Sequence, residues 1–140
     1  MRVVIDAVVF VRALINRDSI WGRLLARSDE YTILLSLEIA HEILAVIQRP
    51  ELRKRLYRLS SLPELQSVLA VLTFAEGVEP KLKESVCRDP KDDKYFWCAL
   101  EGRADYIVSE DEDILAVGEY HGARTIRAAD FLRILDRARA

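Results

Sequence analysis

Four acidic side chains occupy positions from which they could meet at one edge of the fold: Asp6, Glu42, Asp92 and Asp111. Asp6 directly follows the β-branched run 3–5, which is typical of a strand buried on both faces. Asp111 comes two residues after a second predicted strand at 105–109. Because ligands of open α/β sheets bind outside the carboxyl ends of the strands, we expect these carboxylates to lie close together.

Asp92 and Glu42 reach the same edge from helices. Asp92 lies in the first turn of a predicted helix, and its i+3 and i+4 neighbours Tyr95 and Phe96 belong to the apolar face. The Asp92 carboxylate is therefore expected on the core side, where an isolated charge would be unstable. Glu42 lies roughly two turns into the helix that follows the predicted strand at 31–35.

Converging carboxylates predict a site for hard divalent cations. Without a cation, neighbouring carboxylates repel one another and take up protons. Mg²⁺ and Mn²⁺ prefer oxygen ligands, and two such ions about 4 Å apart can activate a water and stabilise the leaving oxygen of a phosphodiester. The four acids therefore predict a metal-dependent phosphodiesterase.

Each acid also has a purely structural interpretation. Asp89 and Asp92 could be helix caps, and Asp6 could be a loop cap after the first strand. Asp111 and Asp113 could be ordinary turn residues, and Glu42 could be a solvated residue at the edge of a helix face. The metal site is preferred because one arrangement accounts for all four predicted ligands together.

Strands and helices alternate along the chain. Strands are predicted at 3–5, 31–35, 105–109 and 124–127, with a short edge strand at 78–80. More helix is predicted over 51–74, with a break at 60–63. The alternation implies parallel pairing and right-handed crossovers. We expect a three-layer α/β/α fold with a parallel sheet of four or five strands, forming a single domain over residues 1–140.

Several helix boundaries are marked by capping residues. Ser19 and Ser36 are predicted N-caps, and Asp89 is a predicted N-cap followed by Pro90 at the first helical position. Gly102 is predicted to end the helix that starts there, as its C′ residue.

Composition narrows the classes of function. The chain has 140 residues, 51% of them hydrophobic, and a formal net charge of −2. Nucleic acid cannot be bound through bulk positive charge, so any such contact must use local patches or metal ions. No apolar run reaches about 18 residues and no secretory leader pattern is present, so we expect a cytoplasmic protein without a membrane partner.

Four sequence blocks resemble those of PIN domains. They are Val-Val-Ile-Asp6, Leu-Ser-Leu-Glu-Ile-Ala-His-Glu42, Asp89-Pro-Lys-Asp-Asp-Lys-Tyr-Phe-Trp-Cys-Ala99, and Ala-Asp-Tyr-Ile-Val-Ser-Glu-Asp-Glu-Asp-Ile-Leu115. The chain is most similar to PIN proteins described as toxins of toxin–antitoxin pairs, like the VapC toxins. The resemblance implies a sheet of order 3-2-1-4-5 and cleavage of RNA with Mg²⁺ or Mn²⁺. By block, Asp6, Glu42, Asp92 and Asp111 take the family's acidic positions. The resemblance adds Asp113 as a further ligand or supporting acid. A small antitoxin protein and a homodimer are implied as partners.

The first block departs from the family pattern. PIN domains usually carry Thr or Ser, then Asn or Ser, after the first acid, whereas this chain has Ala7 and Val8. Such polar neighbours orient the carboxylate, and losing them typically costs about 10–100-fold in metal affinity or activity. The alternative hypothesis is a catalytically weak or inactive PIN-fold protein that binds RNA or a protein partner. A haloacid-dehalogenase-type phosphohydrolase is disfavoured, since it would need an Asp where Val8 stands.

A basic cluster lies between the second and third blocks: Arg49, Arg53, Lys54, Arg55 and Arg58. Its simplest interpretation is a solvated helix face. The functional interpretation is a track for the phosphate backbone, and on that hypothesis Arg49, Arg53, Lys54 and Arg55 are candidate RNA-binding residues.

Overall fold

The computed structural model describes residues 1–59 and 70–139, and for residues 55–59 it describes the backbone only. The predicted helix break at 60–63 lies outside the described residues. The side chains of Arg55 and Arg58 lie outside them as well.

Six described strands form one sheet: β1 (Arg2–Ile5), β2 (Thr32–Leu35), β3 (Glu76–Gly77), β4 (Tyr106–Val108), β5 (Glu119–Tyr120) and β6 (Ala123–Ile126). Their order is β3-β2-β1-β4-β6-β5. Every neighbouring pair is parallel except β5 and β6, which are antiparallel. The expected three-layer α/β/α fold is therefore confirmed. The implied order 3-2-1-4-5 is also confirmed, with β6 as its fifth strand and β5 as an addition.

Helices follow most of the strands: α1 (Ala7–Ile15), α2 (Ile20–Ala26), α3 (Leu37–Ile47), α4 (Pro50–Leu59), α5 (Asp93–Gly102), α6 (Glu112–Leu115) and α7 (Ala128–Arg139). Residues 70–73 are also helical, and short 3₁₀ turns span Ser28–Glu30 and Pro90–Asp92. None of the described helices is long and apolar enough to cross a membrane.

The central strand β1 explains why the sheet has helices on both faces. Val3 and Val4 are fully buried, and Ile5 is 1% exposed. A strand with no alternation must be covered on both sides. Helix α5 packs on β1 from one side, while α1 packs against α2 and α3. This arrangement holds the end of β1, and with it Asp6, at a fixed position.

The capping predictions hold at the starts of helices. The Ser19 hydroxyl accepts a hydrogen bond from Gly22 N at 3.1 Å, and the Ser36 hydroxyl accepts one from Ile39 N at 3.3 Å. Asp89 accepts from Lys91 N at 3.0 Å. The turn that Asp89 caps is 3₁₀, so α5 begins three residues later than a helix starting at Pro90 would.

Gly102 does not end α5 as its C′ residue, so that prediction was wrong. The left-handed residue is Arg103, with φ 55° and ψ 51°. Gly102 is still helical, and a Cβ built on it would lie 2.7 Å from Leu34 Cδ1. Glycine is therefore needed there for close packing of α5 on β2, which a sequence pattern cannot distinguish from a cap.

Two edge features also differ from the sequence-based expectation. The third strand lies at Glu76–Gly77 and not at 78–80. Val78 N still donates to Leu35 O at 2.8 Å, but Leu35 is the last residue of β2, so the pairing goes no further. The extra strand β5 turns back onto β6 through His121 and Gly122, with φ values of 49° and 88°. Positive φ at both turn residues is typical of a tight two-residue hairpin.

A cluster of ion pairs joins the 3₁₀ turn before β2 to the last helix, α7. Arg27 donates to both carboxylate oxygens of Glu30, at 2.8 and 3.0 Å, and to Asp136 at 2.7 Å. Arg139 also donates twice to Glu30, at 3.0 and 2.7 Å. These contacts tie α7 to the 3₁₀ turn before β2.

The Glu30 cluster predicts a pH-dependent contribution to stability. The hydrogen bond from Arg27 comes first among the causes that lower the pKa of Glu30 from 4.5 to about 2. Its stabilising effect is therefore complete above pH 4.5 and is lost as the pH falls through 2. We expect Glu30→Gln to lower the melting temperature at pH 7, with the difference from the native chain shrinking below pH 4.5. Thermal melts across pH measure this.

The matched control for Glu30 is Glu79→Gln, since Glu79 is exposed and has no ion pair among the described residues. A Glu30→Gln variant that melts like Glu79→Gln at pH 7 would show that the cluster contributes nothing measurable.

Candidate metal centre at the carboxyl edge of the sheet

The parallel register places Asp6 beside the residue that follows β4. Ile5 pairs with Val108, and Asp6 N donates to Val108 O at 3.0 Å. Ser109 is therefore the neighbour of Asp6 across the two strands. Both residues end central strands, so both lie at the edge where ligands of α/β sheets bind.

The Asp6 carboxylate is buried and held by several hydrogen bonds. It is 6% exposed. Its Oδ1 accepts from Val8 N at 3.1 Å, and its Oδ2 accepts from the Ser109 hydroxyl at 2.7 Å. Ala7 N donates to the Tyr95 hydroxyl at 3.2 Å, which fixes the backbone next to the carboxylate. Ser109 thus supplies Asp6 with a hydroxyl donor, which Ala7 cannot provide.

Asp111 is held by the same serine. The Ser109 hydroxyl accepts from Asp111 N at 3.0 Å, while Asp111 Oδ1 accepts from Asp113 N at 2.8 Å. The second Asp111 oxygen receives no hydrogen bond from the described residues. One fully buried hydroxyl therefore sets the relation between the first and the last of the predicted acids.

Asp92 lies close enough to Asp6 and Asp111 for their charges to affect its pKa. Its pKa is raised from 3.8 to about 6, first by burial and then by the charges of Asp111, Asp6 and Asp89, with Lys94 acting in the opposite direction. The Asp92 side chain makes no capping hydrogen bond. Like charges that share a site favour protonation unless a cation is added.

The neighbouring Asp93 has a different role. It is 4% exposed, and its Oδ1 accepts from Val86 N at 3.1 Å and from Cys87 N at 2.7 Å. These bonds anchor the loop before α5 and occupy the carboxylate. Asp92 is therefore the better candidate ligand of the two.

Glu42 reaches the acids less directly. Its Oε2 lies 3.5 Å from Lys94 Nζ; the Lys94 side chain is 15% exposed, while the Glu42 side chain is 35% exposed. Glu42 and Asp6 both contribute to the raised pKa of Tyr95, after burial as the main cause. Glu42 therefore belongs to the same neighbourhood, with Lys94 as its partner in this structure.

Asp113 lies on the far side of the turn. Its backbone carbonyl accepts from Cys87 Sγ at 3.3 Å, and its charge is one of several that raise the pKa of Cys87, after burial. The side chain is half-buried. Asp113 N donates to Asp111 Oδ1, so Asp113 supports that acid through its backbone.

The donor set fits a hard divalent cation in chemistry. Among the described residues, no three His, Cys, Asp or Glu side chains stand in an arrangement ready to hold a metal ion. The candidates Asp6, Asp92 and Asp111 are nevertheless all oxygen donors, and burial followed by the charges of Asp111 and Asp6 raises the pKa of Asp92. This repulsion is the condition that a bound Mg²⁺ or Mn²⁺ would relieve.

The basic cluster is exposed where the structure describes it. Arg49, Arg53 and Lys54 are solvent-accessible and have no carboxylate partner among the described residues. Helix α4, which carries two of them, packs against α1 and α3. Helix α1 directly follows Asp6, and helix α3 carries Glu42. Helix α4 therefore packs on the two helices that are next to these acids in the chain.

Three positioning groups were missed from the sequence: Ser109, the Tyr95 hydroxyl and Lys94. Ser109 could have been found, because a strand register that pairs Ile5 with Val108 sets Ser109 beside Asp6. Tyr95 and Lys94 carry no such signal, since both look like ordinary positions of a helix face.

Comparisons with known proteins agree with this geometry. A family model described as the PIN domain matches residues 2–113. An uncharacterized protein of Methanocaldococcus jannaschii, MJ1680, is 33% identical over 119 residues, which cover 84% of this chain and 75% of the relative. The crystal structure of PAE2754 from Pyrobaculum aerophilum has a TM-score of 0.57 at 17% identity, covering 98% of this chain and 99% of that one. The structural likeness supports the fold.

Removal of the Ser109 hydroxyl is expected to weaken the metal centre. Ser109→Ala leaves Asp6 Oδ2 without its donor and Asp111 N without its acceptor. Losses of such supporting groups typically reduce metal affinity by about 10–100-fold. We expect that reduction for Mn²⁺ in isothermal titration calorimetry. Ser109→Thr keeps the hydroxyl and should retain most of the affinity. Equal affinity in the alanine variant and the native chain would contradict this role.

Proposed function

The chain belongs to the PIN-domain family, and on that premise we propose that it is an endoribonuclease that hydrolyses RNA phosphodiester bonds with Mg²⁺ or Mn²⁺ as cofactor. Members of this family are generally metal-dependent nucleases. The observation that carries the proposal is the convergence of three acids: the Ser109 hydroxyl contacts both Asp6 and Asp111, and the charges of these two, after burial, raise the pKa of Asp92. Those three carboxylates come from separate parts of the sequence and meet at one edge of the sheet.

The ion-holding residues in this proposal are Asp6, Asp92 and Asp111. When bound, a divalent ion there supplies Lewis-acid stabilisation of phosphate oxygens and lowers the pKa of water. Ser109 keeps Asp6 and Asp111 in a fixed relation. Tyr95 stays protonated because its pKa is raised by burial, so its hydroxyl can donate toward the buried acid while accepting from Ala7 N.

Glu42 and Asp113 complete the acidic set. Glu42 is paired with Lys94, and we assign it a catalytic role at the outer side of the centre. Lys94 offsets part of the negative charge, as its lowering effect on the pKa of Asp92 indicates. Asp113, whose backbone N–H orients Asp111, is assigned as an additional ligand or supporting acid.

RNA is the proposed substrate, and the basic cluster supports that choice. Arg49, Arg53 and Lys54 present positive charge without internal partners among the described residues, and we assign Arg55 to the same surface by sequence. In a chain with a net charge of −2, a local patch of this kind is what phosphate contacts require.

A second candidate function is an RNA- or protein-binding PIN fold with weak or no hydrolysis. Val8 favours it, since an apolar side chain 38% exposed stands beside Asp6 where the family usually has a polar one. Ser109 offsets this by donating a hydroxyl to the same carboxylate. Binding of RNA without metal-dependent cleavage would select the second candidate.

A biological role as the toxin of a toxin–antitoxin pair is part of the proposal. Its support is the resemblance of the sequence blocks to VapC-like toxins. A small antitoxin protein and a second copy of the chain are the proposed partners, and the cytoplasm is the proposed compartment. The cheapest test is to co-express the chain with the product of any adjacent short reading frame and to measure growth.

Cleavage of a labelled single-stranded RNA tests the enzymatic proposal. We expect product with Mg²⁺ or Mn²⁺ and none with EDTA. Asp92→Asn should lower the rate by at least about 100-fold, since losing a ligand costs more than the roughly 10–100-fold typical of supporting residues. A DNA strand of the same sequence shows whether the substrate is specifically RNA.

The matched control for Asp92→Asn is Asp89→Asn. Asp89 caps the 3₁₀ turn in the same loop, and asparagine caps equally well, so cleavage should be largely retained. Metal-dependent cleavage that is unaffected by Asp92→Asn would refute this site, even though the fold and family would stand.

A further inference from the structure

Arg12 lies in the cleft that contains two of the acids. The cleft has a volume of 180 Å³ and is lined by Asp6, Val8, Val9, Arg12, Glu110 and Asp111. Arg12 is one helical turn beyond Val8 on α1, and both are exposed. A cationic side chain therefore borders an otherwise acidic depression at the carboxyl edge of the sheet.

Arg12 is positioned by an aromatic ring. Its guanidinium carbon lies 4.8 Å from the centroid of the Trp21 ring. Stacking on a ring constrains the guanidinium while its N–H donors stay available at the edge of the plane. No carboxylate among the described residues pairs with Arg12, even though Glu110 and Asp111 line the same cleft.

Trp21 is itself held in place through Glu110. The Trp21 indole N–H donates to Glu110 Oε1 at 3.3 Å, and the same oxygen accepts from Ala128 N at 3.0 Å. Glu110 Oε2 accepts from Arg127 at 3.2 Å. The Glu110 charge is thus used within the protein, and the aromatic platform under Arg12 is fixed to α7.

We infer that Arg12 contacts a backbone phosphate of the RNA strand, next to the phosphate that lies at the acids, with Trp21 as its positioning residue. This inference rests on the proposed function. An RNA strand entering the cleft brings negative charge toward Asp6 and Asp111, and a free guanidinium beside them offsets that repulsion. The guanidinium fork is well suited to phosphate oxygens.

RNA binding in EDTA tests the contact apart from catalysis. The probe is a fluorescein-labelled 12-nucleotide single-stranded RNA, followed by fluorescence anisotropy over a series of salt concentrations. We expect Arg12→Ala to raise Kd by about 10-fold and to reduce the salt slope by about 0.7, the value for one phosphate contact on a single strand. Arg12→Lys should fall between the alanine variant and the native chain.

The matched control is Arg23→Ala, because Arg23 is an exposed arginine on the neighbouring helix α2. It should leave Kd and the salt slope unchanged. Melting temperatures in EDTA separate a phosphate contact from a structural role. Arg12→Ala should melt no more than about 4 °C below the control, the shift expected from losing the contact with the Trp21 ring alone.

Trp21 is tested by a double-mutant cycle. Trp21→Leu removes the ring, so we expect it to weaken RNA binding in the native background and to add little in the Arg12→Ala background. Equal effects of Trp21→Leu in the two backgrounds would show that the ring does not act through Arg12, which would overturn the positioning role.

Two further results overturn the phosphate contact. One is that Arg12→Ala binds RNA with the Kd and salt slope of Arg23→Ala. The other is that the native chain binds no RNA at any salt concentration.

The proposed nuclease function can fail independently of the Arg12 contact. If Arg12→Ala loses binding while the native chain never cleaves RNA, the contact stands and the nuclease does not. If cleavage depends on Mn²⁺ and on Asp92 while Arg12→Ala binds RNA normally, the nuclease function stands and the Arg12 contact does not.

Discussion

Repulsion among the carboxylates of Asp6, Asp92 and Asp111 is the constraint on which the rest of the site depends. Parallel strands end at the same edge of the sheet, so Asp6 and the residues that follow β4 lie next to one another. Burial and the charges of Asp111 and Asp6 then raise the pKa of Asp92 to about 6. A fold that assembles acids in this way is held under electrostatic strain that a divalent cation relieves.

The remaining contacts keep those acids from moving apart. Ser109 bonds to Asp6 and Asp111, Tyr95 fixes the backbone after Asp6, and Asp93 anchors the loop that leads to Asp92. These hydrogen bonds lie in buried or half-buried surroundings, where an unmade bond is costly. Arg12 adds a cationic side chain to the cleft that is lined by Asp6 and Asp111.

The sequence predicted most of the architecture, and the roles of the acids stay a prediction. Uninterrupted β-branched runs identify buried strands, and capping serines mark helix starts, so the layers could be predicted from the residues, whereas the strand order was implied by the resemblance to PIN domains. Contacts set by tertiary packing could not be. Gly102 resembles a helix terminator but is required for packing against Leu34. Ser109 becomes a positioning residue only once the register of β1 and β4 is known. The cation–π pair of Arg12 and Trp21 joins two helices whose relative placement no local pattern encodes.

The most direct test of the central claim compares the thermal unfolding of the native chain and Asp92→Asn. In the folded chain the pKa of Asp92 is raised from 3.8 to about 6, so its charge destabilises the metal-free protein above pH 6 and has no effect well below pH 3.8. We expect Asp92→Asn to melt higher than the native chain in EDTA at pH 8, and saturating Mn²⁺ to reverse the order, because only the native site gains the full binding energy. A variant that melts lower than the native chain in EDTA, or equal Mn²⁺ shifts for both proteins, would contradict this expectation.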